Sequence, residues 1–175
     1  MTESEWHGPL IMSAGGKDNA RMHPVPRVRV AAYVIRHVDG EPQLLVFDQA
    51  AFPDAGTQIP AGGVRPGEAL PDAVVREIAE ECGLTGVTVA GEIAVEHKPH
   101  PETGQPRRTT FFHVLAPDGT ADSWQHTVTG TGSDSAMRFD CRFVALPLPA
   151  PLADHQDAQL HRIPGYTWPY PEDGN

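Results

Sequence analysis

The stretch from Gly62 to Leu84 limits the possible folds of this chain more than any other, because paired glycines precede a strongly amphipathic pattern. Val74, Ile78 and Cys82 recur every four residues, which predicts a helix whose apolar side packs on a core. Gly83 is typical of the residue that ends such a helix. Three acidic residues at relative positions i, i+3 and i+4 share another face of the predicted helix: Glu77, Glu80 and Glu81.

Carboxylates crowded on one helix face repel one another, and a divalent cation between them removes that repulsion most simply. A ligand set made only of oxygen atoms favours Mg²⁺ or Mn²⁺ over zinc. The glycines at 62 and 63 let the backbone approach a metal ion or a phosphate closely, because neither carries a Cβ. The alternative is an acidic helix face that is only solvated.

Nine positions match the Nudix box, G-x5-E-x7-R-E-U-x-E-E-x-G-U, where U is a bulky aliphatic residue: Gly62, Glu68, Arg76, Glu77, Ile78, Glu80, Glu81, Gly83 and Leu84. The chain therefore resembles the Nudix hydrolases. The resemblance implies an α/β fold in which a mixed β-sheet lies between α-helices as an α/β/α sandwich. It also implies hydrolysis of the diphosphate bond in a nucleoside diphosphate linked to another group.

The resemblance further implies roles for single residues. Three glutamates and one main-chain oxygen are expected to hold Mg²⁺ or Mn²⁺: Glu77, Glu80, Glu81 and the carbonyl of Gly62. Arg76 is expected to pair with Glu77 or Glu80 and to keep the carboxylates aimed. Glu68 is expected to support the site by a hydrogen bond or by binding a water. The general base is either a glutamate of the box or an acid from a loop outside it.

Two groups outside the box are further candidates. Lys98, Arg107 and Arg108 flank a proline-rich connection and are candidates for binding substrate phosphates, since arginine suits bidentate contact with an oxyanion. The alternative is a solvated hairpin tip. Asp134 and Glu96 are candidates for an extra carboxylate near the site, against the simpler interpretation that both are surface acids. The nine histidines show no zinc-binding spacing.

The remaining pattern predicts one domain at residues 27–165, after a flexible lead-in at 1–26 and before an irregular tail at 166–175. Runs rich in β-branched and aromatic residues predict five strands: 28–35, 43–47, 87–98, 108–116 and 137–146. Residues 118–135 are expected to form a loop, and residues 152–163 a short closing helix.

Composition limits the partners. The chain has 13 Lys and Arg against 23 Asp and Glu, a net charge of −10, so long nucleic acids are not expected as partners. The small nucleotide substrate is what the resemblance to the Nudix hydrolases implies. Two cysteines are too few for a disulfide framework, and no stretch is apolar enough to span a membrane. We expect a cytoplasmic protein that forms a homodimer or stays monomeric. The alternatives to hydrolysis of a small nucleotide are nucleotide sensing on the same scaffold and the processing of RNA 5′ ends.

Overall fold

The computed structural model describes residues 24–132 and 134–166. The expected lead-in at 1–26 and tail at 166–175 therefore fall almost entirely outside the described residues. The helix and strands of the described part are β1 (Arg27–Val38), β2 (Glu41–Gln49), β3 (Ala61–Gly63), α1 (Leu70–Cys82), β4 (Thr88–His97), β5 (Arg107–Leu115), β6 (Ser123–Thr127) and β7 (Arg138–Ala145). Short 3₁₀ turns lie at Pro53–Ala55, Ala153–His155 and Leu160–Arg162.

The seven strands of the described residues form one mixed sheet in the order β4-β5-β1-β2-β7-β6, and β3 also pairs with β1. β1 runs parallel to β5 and antiparallel to β2 and β3. The mixed sheet is as predicted, and each of the five predicted strands exists with ends shifted by a few residues. β1 lies at the centre because its alternate residues are apolar on both faces, which suits a strand covered on both sides.

Helix α1 covers one face of the sheet. Val74, Ile78 and Cys82 are fully buried against it, so the predicted apolar stripe is confirmed. Gly83 ends the helix as predicted, with a left-handed φ of 66° and its N–H on the carbonyl of Ala79. No helix of the described residues is both long and apolar enough to cross a membrane. The thiols of Cys82 and Cys141 are free and buried, which agrees with the expected absence of a disulfide between them.

The opposite face is covered by the segment 152–163, which was expected to be a helix. That prediction was wrong, because the segment consists of turns, with Leu152, Leu160 and Ile163 buried. Asp154 and His155 have positive φ angles of 52° and 54°, which an α-helix does not allow. The α/β layering is therefore present, but 3₁₀ turns take the place of an α-helix in the second layer.

Two strands were missed. β6 lies inside the expected loop at 118–135 and pairs with β7 at the edge of the sheet. Its sequence is mostly polar and only every second residue is half-buried, so the usual apolar signal is weak. Trp124 on this strand donates its indole N–H to the carbonyl of Cys82 at 2.7 Å, which joins the strand to the end of α1. β3 has three residues, too few for any periodic pattern.

Candidate active site

A cavity of about 690 Å³ lies where β3 meets α1. Its lining contains the paired glycines, Gly62 and Gly63, together with the predicted carboxylates Glu77, Glu80 and Glu81. β3 places the glycines here because it pairs with β1, with Val30 opposite Gly62 and Arg29 opposite Gly63. The expected gathering of the box residues around one pocket is therefore present in the structure.

The carboxylate of Glu77 lies directly against Gly62. A Cβ at position 62 would come 2.1 Å from the carboxyl carbon of Glu77, so no other residue fits there without moving that carboxylate. Glu77 is only 8% exposed and Glu81 only 7%. Glycine at position 62 thus makes room for a buried acid, which is a structural reason for its place in the motif.

Burial makes it costly for these two acids to carry charge. It raises the pKa of Glu77, and the hydrogen bond and positive charge of Arg76 only partly offset this effect. Burial raises the pKa of Glu81 well above its usual range, although the N–H of Ala61 donates to its Oε2 at 2.9 Å. Additional positive charge beside these carboxylates would stabilise both in the charged form.

Arg76 neutralises part of the cluster. Its guanidinium donates to both oxygens of Glu68 at 2.6 and 2.8 Å, and to the carbonyl of Gly63 at 2.9 Å. It also donates to Glu77 Oε1 at 2.7 Å and to Glu80 Oε2 at 3.1 Å, so both of the expected pairings are present. The hydrogen bond from Arg76 is the main reason why the pKa of Glu68 falls to about 2. Arg76 therefore fixes the glycine turn and the acids relative to each other.

Of the three predicted ligand acids, Glu80 is the one that two arginines bind. Besides Arg76, it accepts a hydrogen bond from Arg65 Nη2 on Oε1 at 2.7 Å. In this arrangement the described residues contain no group of three His, Cys, Asp or Glu side chains already gathered closely enough to hold a metal ion. A cation at the predicted site would compete with Arg65 and Arg76 for the carboxylate of Glu80.

The donor set nevertheless fits Mg²⁺ or Mn²⁺. All candidate ligands are oxygen atoms, two of the carboxylates are buried, and the carbonyl-bearing glycine has a carboxylate in contact with it. The repulsion between Glu77, Glu80 and Glu81 is offset here by Arg65 and Arg76, which are two positive charges. A divalent cation supplies the same charge in a smaller volume.

Arginines from the sheet form another part of the cavity lining, and sequence reasoning missed two of them. Arg27 and Arg29 lie on β1, and Arg107 lies on β5. Arg107 was predicted as a substrate-binding residue, and its side chain does line the cavity. The signal for the others was the alternation Arg-Val-Arg-Val at 27–30, which puts both arginines on one face of a central strand.

The other predicted residues are distributed unevenly. Asp134 lines the cavity, and its charge helps to raise the pKa of Glu81 after the larger effect of burial. Glu96, Lys98 and Arg108 are not among the lining residues. Arg108 follows Arg107 on a strand, so the two side chains point to opposite faces of the sheet. Lys98 instead pairs with Asp154, with Nζ 2.8 Å from Oδ1.

Residues 25–161 match the family model described as the NUDIX domain. The chain belongs to this family. Membership agrees with the box and the sheet, and the expected enzyme class, Nudix hydrolase, is confirmed with it. None of the curated proteins is similar enough in sequence to match this chain.

Three solved structures are similar to this chain, and the two with TM-scores above 0.5 share its fold. A UDP-X diphosphatase is 15% identical with a TM-score of 0.57, over 82% of this chain and 64% of the other, so this chain spans less than two thirds of that protein. The NUDIX domain of Shewanella oneidensis NrtR, complexed with ADP ribose, is 16% identical with a TM-score of 0.55, over 79% and 86%. An Ap4A hydrolase of C. elegans is 19% identical with a TM-score of 0.49, over 69% and 81%.

Proposed function

We propose that this Nudix protein hydrolyses the diphosphate linkage of a nucleoside diphosphate joined to another group, with a divalent cation held by its box glutamates. The observation that carries the proposal is the meeting of Glu77, Glu80 and Glu81 with Gly62 at one cavity. Two of these acids are buried, and burial of a carboxylate without a compensating cation is unfavourable.

The residues of the cavity have different roles in the proposed reaction. Glu77, Glu80, Glu81 and the carbonyl of Gly62 would hold Mg²⁺ or Mn²⁺, which supplies charge neutralisation at the phosphate and a more acidic water. Arg76 holds Glu77 and the turn at Gly63 in place through its hydrogen bonds. Asp134 lines the same cavity and joins the box glutamates as a candidate to accept the proton of the attacking water.

Nucleotide sensing without hydrolysis is the second candidate. It is favoured by the arginines on Glu80, since a box whose acids stay bound to Arg65 and Arg76 can recognise a phosphate without activating water. Among Nudix structures, an NrtR domain holds ADP ribose. The two candidates differ in one measurable respect, which is whether the bound nucleotide is cleaved.

The test is a panel of nucleotide sugars, dinucleoside polyphosphates, nucleoside triphosphates and ADP-ribose, assayed with Mg²⁺, with Mn²⁺ and with a chelator. We expect cation-dependent release of a nucleotide product from at least one compound. Glu80→Gln and Glu81→Gln should fold but lose roughly a hundredfold or more in kcat. Asp72→Asn is the matched control, because Asp72 is exposed on the same helix and lies outside the cavity lining.

Wild-type turnover in Glu80→Gln or Glu81→Gln would contradict the ligand assignment. Binding of a nucleotide without cleavage under any of these conditions would favour sensing. The cytoplasmic location and the homodimer remain predictions from the sequence, as does the absence of a long nucleic-acid partner.

A further inference from the structure

Three arginines lie together on one face of the sheet. Arg27 and Arg29 are two residues apart on β1 and so point to the same side, and Arg27 is the direct partner of Arg107 on the parallel strand β5. All three line the cavity that also holds the box glutamates. We call this set the arginine wall.

Two members of the arginine wall lack an acidic partner. Among the described residues, no carboxylate oxygen lies within 4.0 Å of the guanidinium of Arg27 or Arg29. The guanidinium of Arg29 donates one long hydrogen bond, of 3.4 Å, to the carbonyl of Ala61. Arg107, by contrast, pairs with Asp154 at 2.7 Å.

This lack of partners has an energetic cost in the free protein. Burial lowers the pKa of Arg29, and the nearby positive charges of Arg107 and Arg27 lower it further, while Glu81 and Asp154 only partly oppose the shift. In an acidic protein with 13 cationic residues, three of them repel one another at this place. The attraction of an anion bound against the wall would offset both the repulsion between the arginines and the cost of their desolvation.

We infer that the arginine wall binds phosphate groups of the substrate beyond the scissile linkage, so that the preferred substrates carry a chain of three or more phosphates. This inference rests on the proposed function. Nucleoside triphosphates and dinucleoside polyphosphates both contain such a polyphosphate chain.

The extent of the wall favours a chain over a single phosphate. Residues two apart on a strand are separated by about 6.6 Å, and neighbouring strands by about 4.8 Å. The wall therefore covers more surface than one phosphate group, and its guanidinium groups can make bidentate contacts with successive oxyanions. A neutral sugar in the same place would leave Arg27 and Arg29 without partners and with less water around them.

Binding is tested without catalysis. Inorganic triphosphate is titrated calorimetrically into the full chain in the presence of a chelator, so that no divalent cation contributes. We expect binding to the wild type that weakens by roughly tenfold or more in Arg29→Gln, since a charged hydrogen bond is lost. Arg108→Gln is the matched control, because Arg108 is the neighbour of Arg107 but lies outside the cavity lining. If Arg29→Gln does not fold, Arg27→Gln makes the same test on an exposed side chain.

The kinetic comparison uses ATP, diadenosine tetraphosphate and ADP-glucose with Mg²⁺. We expect kcat/KM to be higher for ATP and diadenosine tetraphosphate than for ADP-glucose. In Arg29→Gln this difference should become smaller, because KM for the two polyphosphate compounds rises. The ratio of kcat/KM for ATP to kcat/KM for diadenosine tetraphosphate then shows which of the two compound classes is the better substrate.

Equal binding of triphosphate by wild type and Arg29→Gln, or no binding by the wild type, would overturn the inference. A higher kcat/KM for ADP-glucose would overturn it as well. Failure to hydrolyse any of the three compounds would count against the proposed function instead, and the calorimetric result would still decide whether the arginine wall binds a phosphate chain.

Discussion

Arg76 and Arg29 line the same cavity, but only the first is surrounded by carboxylates. Arg76 makes hydrogen bonds to Glu68, Glu77 and Glu80, and all of these acids belong to the same motif. Arg29 faces two other arginines and has no acid at ion-pair distance among the residues that the structure describes. The positive charge of Arg76 is used within the protein, whereas that of Arg29 is available to a ligand.

This difference separates two tasks within the cavity. The part of the cavity lined by the box residues contains ion pairs within the protein, and these hold its carboxylates in place. Its function therefore depends on the positions of those carboxylates. The arginine wall has few internal partners, so its function depends on what binds there. Substitutions on the two sides should therefore affect different measurable quantities: kcat and stability for the box, and KM and anion affinity for the wall.

The largest difference in kcat is expected between substitutions of two adjacent glycines, because Gly62 lies against Glu77 of the box and Gly63 lies against Arg27 of the arginine wall. In Gly62→Ala the new Cβ would lie 2.1 Å from the carboxyl carbon of Glu77 and displace it, so kcat should fall by roughly a hundredfold. In Gly63→Ala the Cβ would lie 3.1 Å from Arg27 Nη2, the end of a flexible side chain that can move. We expect Gly63→Ala to keep kcat and to raise KM for ATP. Steady-state kinetics on both variants checks this, and an equal loss of kcat would contradict the division.

Removing Arg76 should lower stability more than any change on the arginine wall. Its side chain is 16% exposed, and Arg76→Gln removes the ion pairs of Glu68 and Glu77 and one of the two ion pairs of Glu80. The free energy of unfolding should fall by on the order of 3 kcal/mol, measured by urea denaturation. Arg138→Gln is the control, since that arginine is exposed and its contact with Gln125 is 3.4 Å long.

The same variant links stability to the cation. With Arg76 absent, Arg65 still pairs with Glu80, but Glu77 and Glu68 lose the arginine that neutralises them. Mg²⁺ should therefore raise the melting temperature of Arg76→Gln more than that of the wild type. An Arg76→Gln protein that unfolds at the wild-type urea concentration would show that Arg76 does not hold the box together.

The sequence predicted the box side well because its contacts are local. Glu77, Glu80 and Glu81 share a helix face through spacing alone, and Arg76 reaches two of them from the same helix. Even so, spacing did not predict the hydrogen bond from Arg65 to Glu80, since that contact depends on the path of the turn between β3 and α1. The apolar stripe predicted which side of α1 is buried for a similar reason.

The arginine wall was only partly predictable, because it depends on strand pairing between distant parts of the chain. Arg107 was a candidate because it lies with other cationic residues beside a proline-rich connection. Nothing in the sequence, however, shows that β5 lies parallel to β1 with Arg27 opposite Arg107. The segment at 152–163 was misjudged for a related reason. Its apolar residues suggested a helix, while its turns are stabilised by tertiary contacts such as that of Ile59 N–H with Gln156 Oε1 at 2.9 Å.

The smallest effect is expected at Asp154, an acid of the protein that pairs with a member of the arginine wall. Its carboxylate pairs with Arg107 and Lys98, and at 23% exposure it is the one acid of the described residues in an ion pair with the arginine wall. Asp154→Asn removes an internal anion that competes with a phosphate for Arg107. Its affinity for inorganic triphosphate should rise by about threefold, the size expected for a partly exposed ion pair. Calorimetry in the presence of a chelator measures this, and weaker binding would mean that Asp154 only positions the wall.

The stability of the same variant should depend on pH. Burial by itself would raise the pKa of Asp154, but hydrogen bonds from Lys98 and Arg107 outweigh it and hold the pKa below its ordinary value. A carboxylate whose pKa is lower in the folded than in the unfolded state stabilises the fold above its unfolded pKa, which is about 3.9. That contribution is lost as the pH falls through the folded value. Wild type should therefore be more stable than Asp154→Asn at neutral pH, and the difference should shrink in urea titrations carried out at progressively lower pH, because protonation gives the wild type the neutral side chain that asparagine already has.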